Sequence, residues 1–266
     1  MTLTIIGSGN VATHLALAFK RSGVVINQIF SRNLLNAQAL ASKVDAEAIS
    51  DLALLKTNSD FYLIAVSDNA ISSIVEEMKP VSGIVAHTAG SVPISLLGKF
   101  ISYGSFYPFQ TFTKEREIDI KDVPFFIEGN SPETEQQLYD IASLISNRVD
   151  KVDEKKRFVL HLSGVFACNF VNHLYAVSQD ILEESGLDFS YIEPLINETM
   201  RKAIDVKPYS AQTGPARRND TNVMQFHIDK LKENKSHHDL YKLISESIIK
   251  MYYKREEDKK IMRTLE

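Results

Sequence analysis

The chain has 266 residues, of which 44% are hydrophobic and 24% charged, and its formal net charge is −4. This composition is typical of a globular protein long enough for two domains, and the mildly acidic balance argues against nucleic acid or an anionic membrane as a partner. The single cysteine, Cys168, excludes an internal disulfide and is expected to be a buried thiol. Because no apolar run is long enough to cross a bilayer, we expect a cytoplasmic protein.

Strands and helices alternate through the first half of the chain. Short apolar runs predict buried strands, and apolar residues at every third or fourth position predict helices. The predicted strands cover 3–6, 24–30, 46–50, 60–66, 82–91, 101–110 and 123–129, and the helices cover 10–22, 33–44, 68–79 and 131–146. Because the connections are short, this alternation indicates an α/β fold with a doubly wound, mostly parallel sheet of the Rossmann type.

The pattern becomes entirely helical after residue 152. A long helical stretch is predicted over 154–184 and a second helix over 188–206. Two more helices follow the loop "KPYSAQTGPARRND" and continue to about residue 254. We therefore predict a Rossmann domain over residues 1–152 and an all-helical C-terminal domain over residues 153–266.

The segment "IIGSGNVATHLALAF" joins the first strand to the first helix through two glycines. Gly7 permits a sharp turn, Gly9 lets an anion approach the backbone, and Ala12 stands where a third glycine often keeps helix and strand close. The helix start offers free N–H groups and the positive end of its dipole to a phosphate. A tight turn without a ligand is the alternative. We predict that a dinucleotide pyrophosphate binds at Gly7, Ser8, Gly9, Asn10 and Val11.

The end of the second strand indicates which dinucleotide binds. An acidic residue there would accept hydrogen bonds from the ribose 2′-hydroxyl of NAD or FAD, but the chain has Ser31, Arg32 and Asn33, with no acid before Asp45. The Arg32 guanidinium can form a forked, charge-assisted contact with a 2′-phosphate, and Ser31 and Asn33 can add hydrogen bonds to it. The pattern therefore favours NADP(H) over NAD(H) and flavin, and a solvated loop arginine is the alternative.

Polar residues follow three further strands, at the edge of the sheet where such folds bind ligands. Ser67 and Asp68 are expected on the ribose side of the cofactor, although Asp68 is equally consistent with a helix cap. His87 is a candidate for cofactor binding and for acid–base chemistry, with a hydrogen-bonded core histidine as the alternative. Tyr107 is a further candidate proton donor.

The helical half contributes three candidate catalytic residues. His161 and Asn169 lie eight residues apart, about two helical turns, and are predicted to share one helix face with Val165 between them. Thr213 belongs to "TGPARRND", a polar loop between helices that needs no function. No spacing of histidine, cysteine and carboxylate resembles a metal site, so no metal is expected.

Six segments carry a resemblance to known proteins: "IIGSGNVATHLA", "SRN", "HTAGS", "GSFYPFQTF", "HLSGVFACNF" and "TGPARRND". They resemble the superfamily of pyrroline-5-carboxylate reductase, 6-phosphogluconate dehydrogenase and the deazaflavin-dependent NADP oxidoreductases. Within this superfamily, the chain is similar to a bacterial group that pairs a Rossmann-like domain with a helical domain of unassigned function. The resemblance implies that NADP binds over the glycine turn, Ser31 and Arg32, with its nicotinamide ring near Ser67 and His87. It also implies a homodimer through the helical domain and a small substrate between the domains.

Two departures from these relatives bear on the reaction. Dehydrogenases of the 6-phosphogluconate type carry a lysine four residues before the asparagine that Asn169 resembles, and here that position is Val165, which cannot transfer a proton. The "TGP" segment differs from the Ser-Pro-Gly turn of the pyrroline carboxylate reductases. These differences argue against alcohol oxidation by such a lysine and against the proline precursor as substrate.

The first hypothesis for function is an NADP-dependent oxidoreductase that passes a hydride from NADPH to a small C=N or C=O substrate. The product then needs a proton, which His87, Tyr107, His161 or a water would supply, while Asn169 and Thr213 would orient the substrate. The second hypothesis, favoured by the missing lysine, is an NADP-binding sensor or scaffold protein without turnover.

Overall fold

The computed structural model describes residues 1–264 of the chain, with side chains over residues 1–253. Its first half confirms the predicted alternation of strands and helices. The strands are β1 (Thr2–Ile6), β2 (Val25–Phe30), β3 (Glu47–Ile49), β4 (Phe61–Ile64), β5 (Ile84–His87), β6 (Tyr103–Pro108), β7 (Phe125–Gly129) and β8 (Val149–Lys151). The helices among them are α1 (Asn10–Arg21), α2 (Leu34–Val44), α3 (Asp68–Glu77) and α4 (Pro132–Ser143).

The eight strands form one sheet in the order β3-β2-β1-β4-β5-β6-β7-β8. All neighbouring pairs are parallel except β6 and β7, which run antiparallel. The chain moves outward from β1 to β3 and then crosses to β4 on the other side of β1. This reversal opens a crevice at the carboxyl ends of β1 and β4, the position where doubly wound sheets bind ligands. The sequence did not predict β8, because its three residues include two charged ones and no buried one.

Both faces of the sheet are covered by apolar side chains, as expected for strands with few polar residues. One layer packs α1, through Leu15, Ala16 and Phe19, against strand residues such as Phe61 and Phe106. The opposite layer contains the buried face of α3, formed by Ile71, Ile74 and Val75. The two helices that flank the crevice are therefore fixed by burial of their apolar faces.

The chain divides into two compact units, a sheet unit of residues 1–171 and a helical unit that begins at Asn172. The predicted boundary was residue 152. The sheet unit continues past it because helix α5 (Glu154–Gly164) packs on the sheet through a fully buried arginine, Arg157. A single π-helical segment, Val165–Phe170, follows α5. Cys168 lies in this segment and is exposed, so the expected buried thiol was wrong.

The second half is helical, as predicted, with some different boundaries. The long helical stretch consists of α5, the π segment and α6 (Val171–Glu183), and a 3-10 turn at Phe189–Tyr191 precedes the next helix. The remaining helices are α7 (Glu193–Val206), α8 (Pro208–Ala211), α9 (Pro215–Arg218), α10 (Thr221–Lys230) and α11 (Lys235–Thr264). None of the described helices combines the length and apolar character that a bilayer crossing requires.

Candidate functional site

The glycine turn after β1 depends on Gly7 for its geometry. Its φ of 133° lies in the region that residues with a side chain rarely adopt, and a Cβ there would stand 2.1 Å from the carbonyl oxygen of Ala65. The Gly7 N–H donates to the carbonyl of Phe30 at 2.8 Å. Gly7 therefore lets β1, β2 and β4 lie close together at the crevice.

Gly9 differs from Gly7 in its geometry. Its φ of −77° is open to any residue, and nothing lies within 4 Å of the position that a Cβ would take. Gly9 is also the N-cap of α1 and has no side chain to satisfy the first N–H groups of the helix, whose first turn holds no acidic residue. The Asn10 side chain is directed elsewhere and donates to the carbonyl of Phe112 at 2.9 Å. The start of α1 is thus an uncapped, positively polarised site that an anion can approach.

A cavity of about 510 Å³ lies over this turn. One of its walls is a face of α3, on which Ala70, Ser73, Ile74 and Glu77 recur with helical spacing, and Thr88 also lines it. The structure brings nine of the predicted cofactor-binding residues into its lining: Gly7, Ser8, Gly9, Asn10, Val11, Ser31, Arg32, Asn33 and Ser67.

Arg32 is the cation of this cavity. Its side chain is exposed, and within residues 1–253 no carboxylate pairs with it. The neighbouring Asn33 caps α2, because its side-chain oxygen accepts the Leu35 N–H at 3.0 Å. Arg32 is therefore free to bind an anionic group, whereas the Asn33 oxygen is already occupied by its capping hydrogen bond to α2.

Asp68 and His87, which were also predicted to bind the cofactor, are absent from the described lining of the cavity. Asp68 begins α3, and its carboxylate accepts the Ser91 hydroxyl at 2.6 Å, which joins the loops after β4 and β5. The His87 ring is fully buried, and its Nδ1 accepts the Ala89 N–H at 3.3 Å. Burial, with help from the positive charge of Arg157, lowers the pKa of His87 to about 4, so this ring is neutral.

Tyr107 and His161 form a polar pair beside these loops. The Tyr107 hydroxyl lies 3.1 Å from Nδ1 of His161. Burial, and then the charge of Asp68, raise the pKa of Tyr107 to about 12, so the phenol keeps its proton. The His161 ring packs against Gly90, where a Cβ would approach it to 2.7 Å. The loop after β5, strand β6 and helix α5 therefore hold a histidine next to a protonated phenol. Both side chains are of types that exchange protons in enzymes.

The other two candidate catalytic residues are Asn169 and Thr213. Asn169 is an exposed residue of the π segment. Thr213 belongs to the helical unit, where it lines an apolar cavity of about 310 Å³. Their predicted part in orienting a substrate stays a prediction.

Two important residues of the sheet unit were not singled out from the sequence. Arg157 is completely buried and forms an ion pair with Glu128. In the sequence, Arg157 ends the run "EKKR", which has the charge pattern of a solvated helix start. Its spacing of four residues from His161 was the one available indication that both share a helix face.

Comparison with known families agrees with this geometry. Residues 2–95 match the family model described as "NADP oxidoreductase coenzyme F420-dependent", and residues 123–248 match a domain of unknown function, DUF2520. No curated protein matches the chain.

Solved structures extend the comparison over almost the whole chain. A Bacteroides fragilis protein assigned as an NADP oxidoreductase is 42% identical, with 94% of this chain and 98% of that chain covered and a TM-score of 0.88. A Thermotoga maritima protein is 22% identical, with coverage of 94% and 99% and a TM-score of 0.79. An imine reductase of Myxococcus stipitatus, solved with NADP⁺, shares the fold at 16% identity, with coverage of 96% and 95% and a TM-score of 0.65.

The chain belongs to the family of NADP-dependent oxidoreductases in which a Rossmann-like domain precedes this helical domain. The resemblance inferred from the sequence is thereby confirmed.

Proposed function

We propose that the cavity over the glycine turn binds NADP(H). The observation that carries this proposal is that an open Gly9, the uncapped start of α1 and an unpaired Arg32 line one cavity. The backbone N–H groups from Gly9 to Val11 would hold the pyrophosphate, and Arg32, with Ser31, would bind the 2′-phosphate. Bound there, NADPH would supply the hydride for reduction of a small C=N or C=O compound.

The proton that such a reduction consumes is assigned to the pair of Tyr107 and His161. The protonated phenol donates to its histidine partner or to the substrate, and the imidazole can pass a proton on because each of its two ring nitrogens can accept or donate one. His87 was the other histidine considered for this role. Its burial and its neutral ring suit it instead to the core, where it holds the loop after β5.

An assay of NADPH oxidation over a panel of cyclic imines, 2-oxo acids and ketones tests this function. Imines and ketones are informative together, because both take up one hydride and one proton. Turnover of either class supports the reductase. Flat traces with every compound, under conditions where NADPH binding is measured directly, would instead favour the NADP-binding sensor, for which Val165 at the lysine position is the supporting observation.

We also propose that the chain forms a homodimer through its helices. Between residues 172 and 253, three apolar side chains are buried, Ala216, Met224 and Tyr252. On α7, by contrast, Leu195 and Ile204 are 65% and 68% exposed. So much exposed apolar surface is typical of an interaction face, and a second copy of the chain would cover it. Sedimentation equilibrium should give twice the mass of one chain, and a monomer at micromolar concentration would contradict this.

A further inference from the structure

Arg157 is the largest side chain that the described part of the chain buries completely. Its guanidinium bonds to two separate parts of the sheet unit. Nη1 forms an ion pair with Glu128 on β7, and Nη2 donates to the carbonyl of Val92 at 2.7 Å, in the loop after β5. Nε has no partner among the described residues. The arginine therefore ties α5 to both places through a rigid planar group.

These two attachment points belong to segments next to those that form the polar pair described above. Arg157 and His161 are four residues apart on α5 and so lie on the same face, one turn from each other. Val92 is two residues from Gly90, against which the His161 ring packs. Glu128 pairs in the sheet with Ser105, two residues before Tyr107 on β6. The contacts of Arg157 thus fix His161 relative to the loop and the strand that it touches.

A buried ion pair is a poor choice for stability alone, because apolar residues of similar volume in its place are often neutral or stabilising. What the pair provides is a fixed direction and distance, since the planar guanidinium donates from Nη1 to Glu128 and from Nη2 to the Val92 carbonyl in one geometry. We propose that Arg157 is a positioning residue that sets the His161 ring against the hydroxyl of Tyr107. The consequence for catalysis rests on the proposed reductase function, but the positioning itself does not.

The test that needs no turnover is nitrogen NMR of the histidine rings in the full-length protein. The Tyr107→Phe variant first defines how the His161 signals shift when their hydrogen bond is lost. The double variant Arg157→Met/Glu128→Leu removes the buried pair without leaving an unpaired charge, so it should fold. We expect its His161 signals to move at least half of the way towards those of Tyr107→Phe. As a matched control, Lys151→Met/Glu135→Leu, which removes a partly exposed ion pair of the same unit, should leave them in place.

The milder variant Arg157→Lys covers the case in which the double variant does not fold. Lysine keeps the charge beside Glu128 but cannot hold Glu128 and the Val92 carbonyl through one planar group. Its His161 signals should therefore shift in the same direction as in Tyr107→Phe, by a smaller amount. His161 signals identical to wild type in a folded variant of either kind would overturn the proposal.

Kinetics then separate this proposal from the proposed function. If the wild type reduces a substrate, both Arg157 variants should lose kcat at least tenfold while the NADPH dissociation constant changes less than about threefold, as expected when only the chemical step is affected. If the wild type shows no turnover, the proposed reductase function is wrong. The NMR result then tests the positioning role of Arg157 by itself. Equal losses in kcat and in cofactor affinity would show a general structural defect and contradict the proposal.

Discussion

The Tyr107 hydroxyl and the Nδ1 atom of His161 lie 3.1 Å apart, although 54 residues separate them in the chain. Because its pKa is raised, the Tyr107 phenol keeps its proton at neutral pH. Replacing Tyr107 by Phe removes both that proton and the hydrogen bond to His161. We expect Tyr107→Phe to lower kcat for reduction by about 100-fold, in the range typical of general acid catalysis. Steady-state kinetics measure this, with Tyr139→Phe on α4 as the matched control. A Tyr107→Phe enzyme with wild-type kcat would remove the pair from the mechanism.

The two glycines of the turn should respond differently to alanine. Gly7→Ala forces a side chain into a positive φ and against the Ala65 carbonyl, so we expect the free energy of unfolding to fall by about 2–4 kcal/mol. Gly9→Ala meets open space at an ordinary φ and should change that free energy by less than about 1 kcal/mol.

The functional consequence of Gly9→Ala should nevertheless be large. Its methyl group would occupy the approach to the first N–H groups of α1, and we expect NADPH to bind at least about tenfold more weakly. Urea unfolding and calorimetric titration on the same samples provide both quantities. Unchanged NADPH affinity in Gly9→Ala would mean that the pyrophosphate does not bind at this turn.

His87 should make the stability of the protein depend on pH. Its pKa is lowered from 6.5 to about 4 in the folded chain, so protonation favours the unfolded state. The stabilising contribution is complete above pH 6.5 and is lost as the pH falls towards 4; by linkage the loss between pH 7.5 and pH 5 is about 2 kcal/mol.

The variant His87→Asn isolates this contribution. Asparagine offers a side-chain oxygen to the Ala89 N–H but does not titrate. Urea unfolding of both proteins at the two pH values should show a steeper loss for the wild type, by about 2 kcal/mol. Parallel losses in the two proteins would show that the buried ring does not resist protonation.

The parts of the site that could be predicted from the sequence are those whose causes are local. Gly7 and Gly9 stand between a strand and a helix, where backbone geometry and an open helix end act within a few residues. Arg32 lies two residues after the end of β2, where folds of this type read the ribose of a dinucleotide, so its place in the cavity lining could be predicted. The doubly wound, mostly parallel character of the sheet could be predicted from the short connections between periodic segments.

The parts that could not be predicted depend on distant partners. Arg157 lies 29 residues from Glu128 and 65 from Val92, so nothing in the run "EKKR" distinguishes a buried guanidinium from a solvated one. His87 was considered for chemistry because its residue type suits proton transfer, while its complete burial depends on packing across the sheet. The hydrogen bond between Tyr107 and His161 likewise required the position of α5 on the sheet.

The most direct test of the account is calorimetric titration of the wild type and of Arg32→Ala with NADPH and with NADH, at one ionic strength. We expect the wild type to prefer NADPH. In Arg32→Ala the affinity for NADPH should fall by about 10- to 100-fold, the equivalent of one charge-assisted contact, while the affinity for NADH changes by less than about threefold. Arg148→Ala, an exposed arginine outside the cavity lining, should behave as the wild type. Equal losses for the two nucleotides in Arg32→Ala, or a wild type that binds NADH as tightly as NADPH, would contradict the assignment of this cavity.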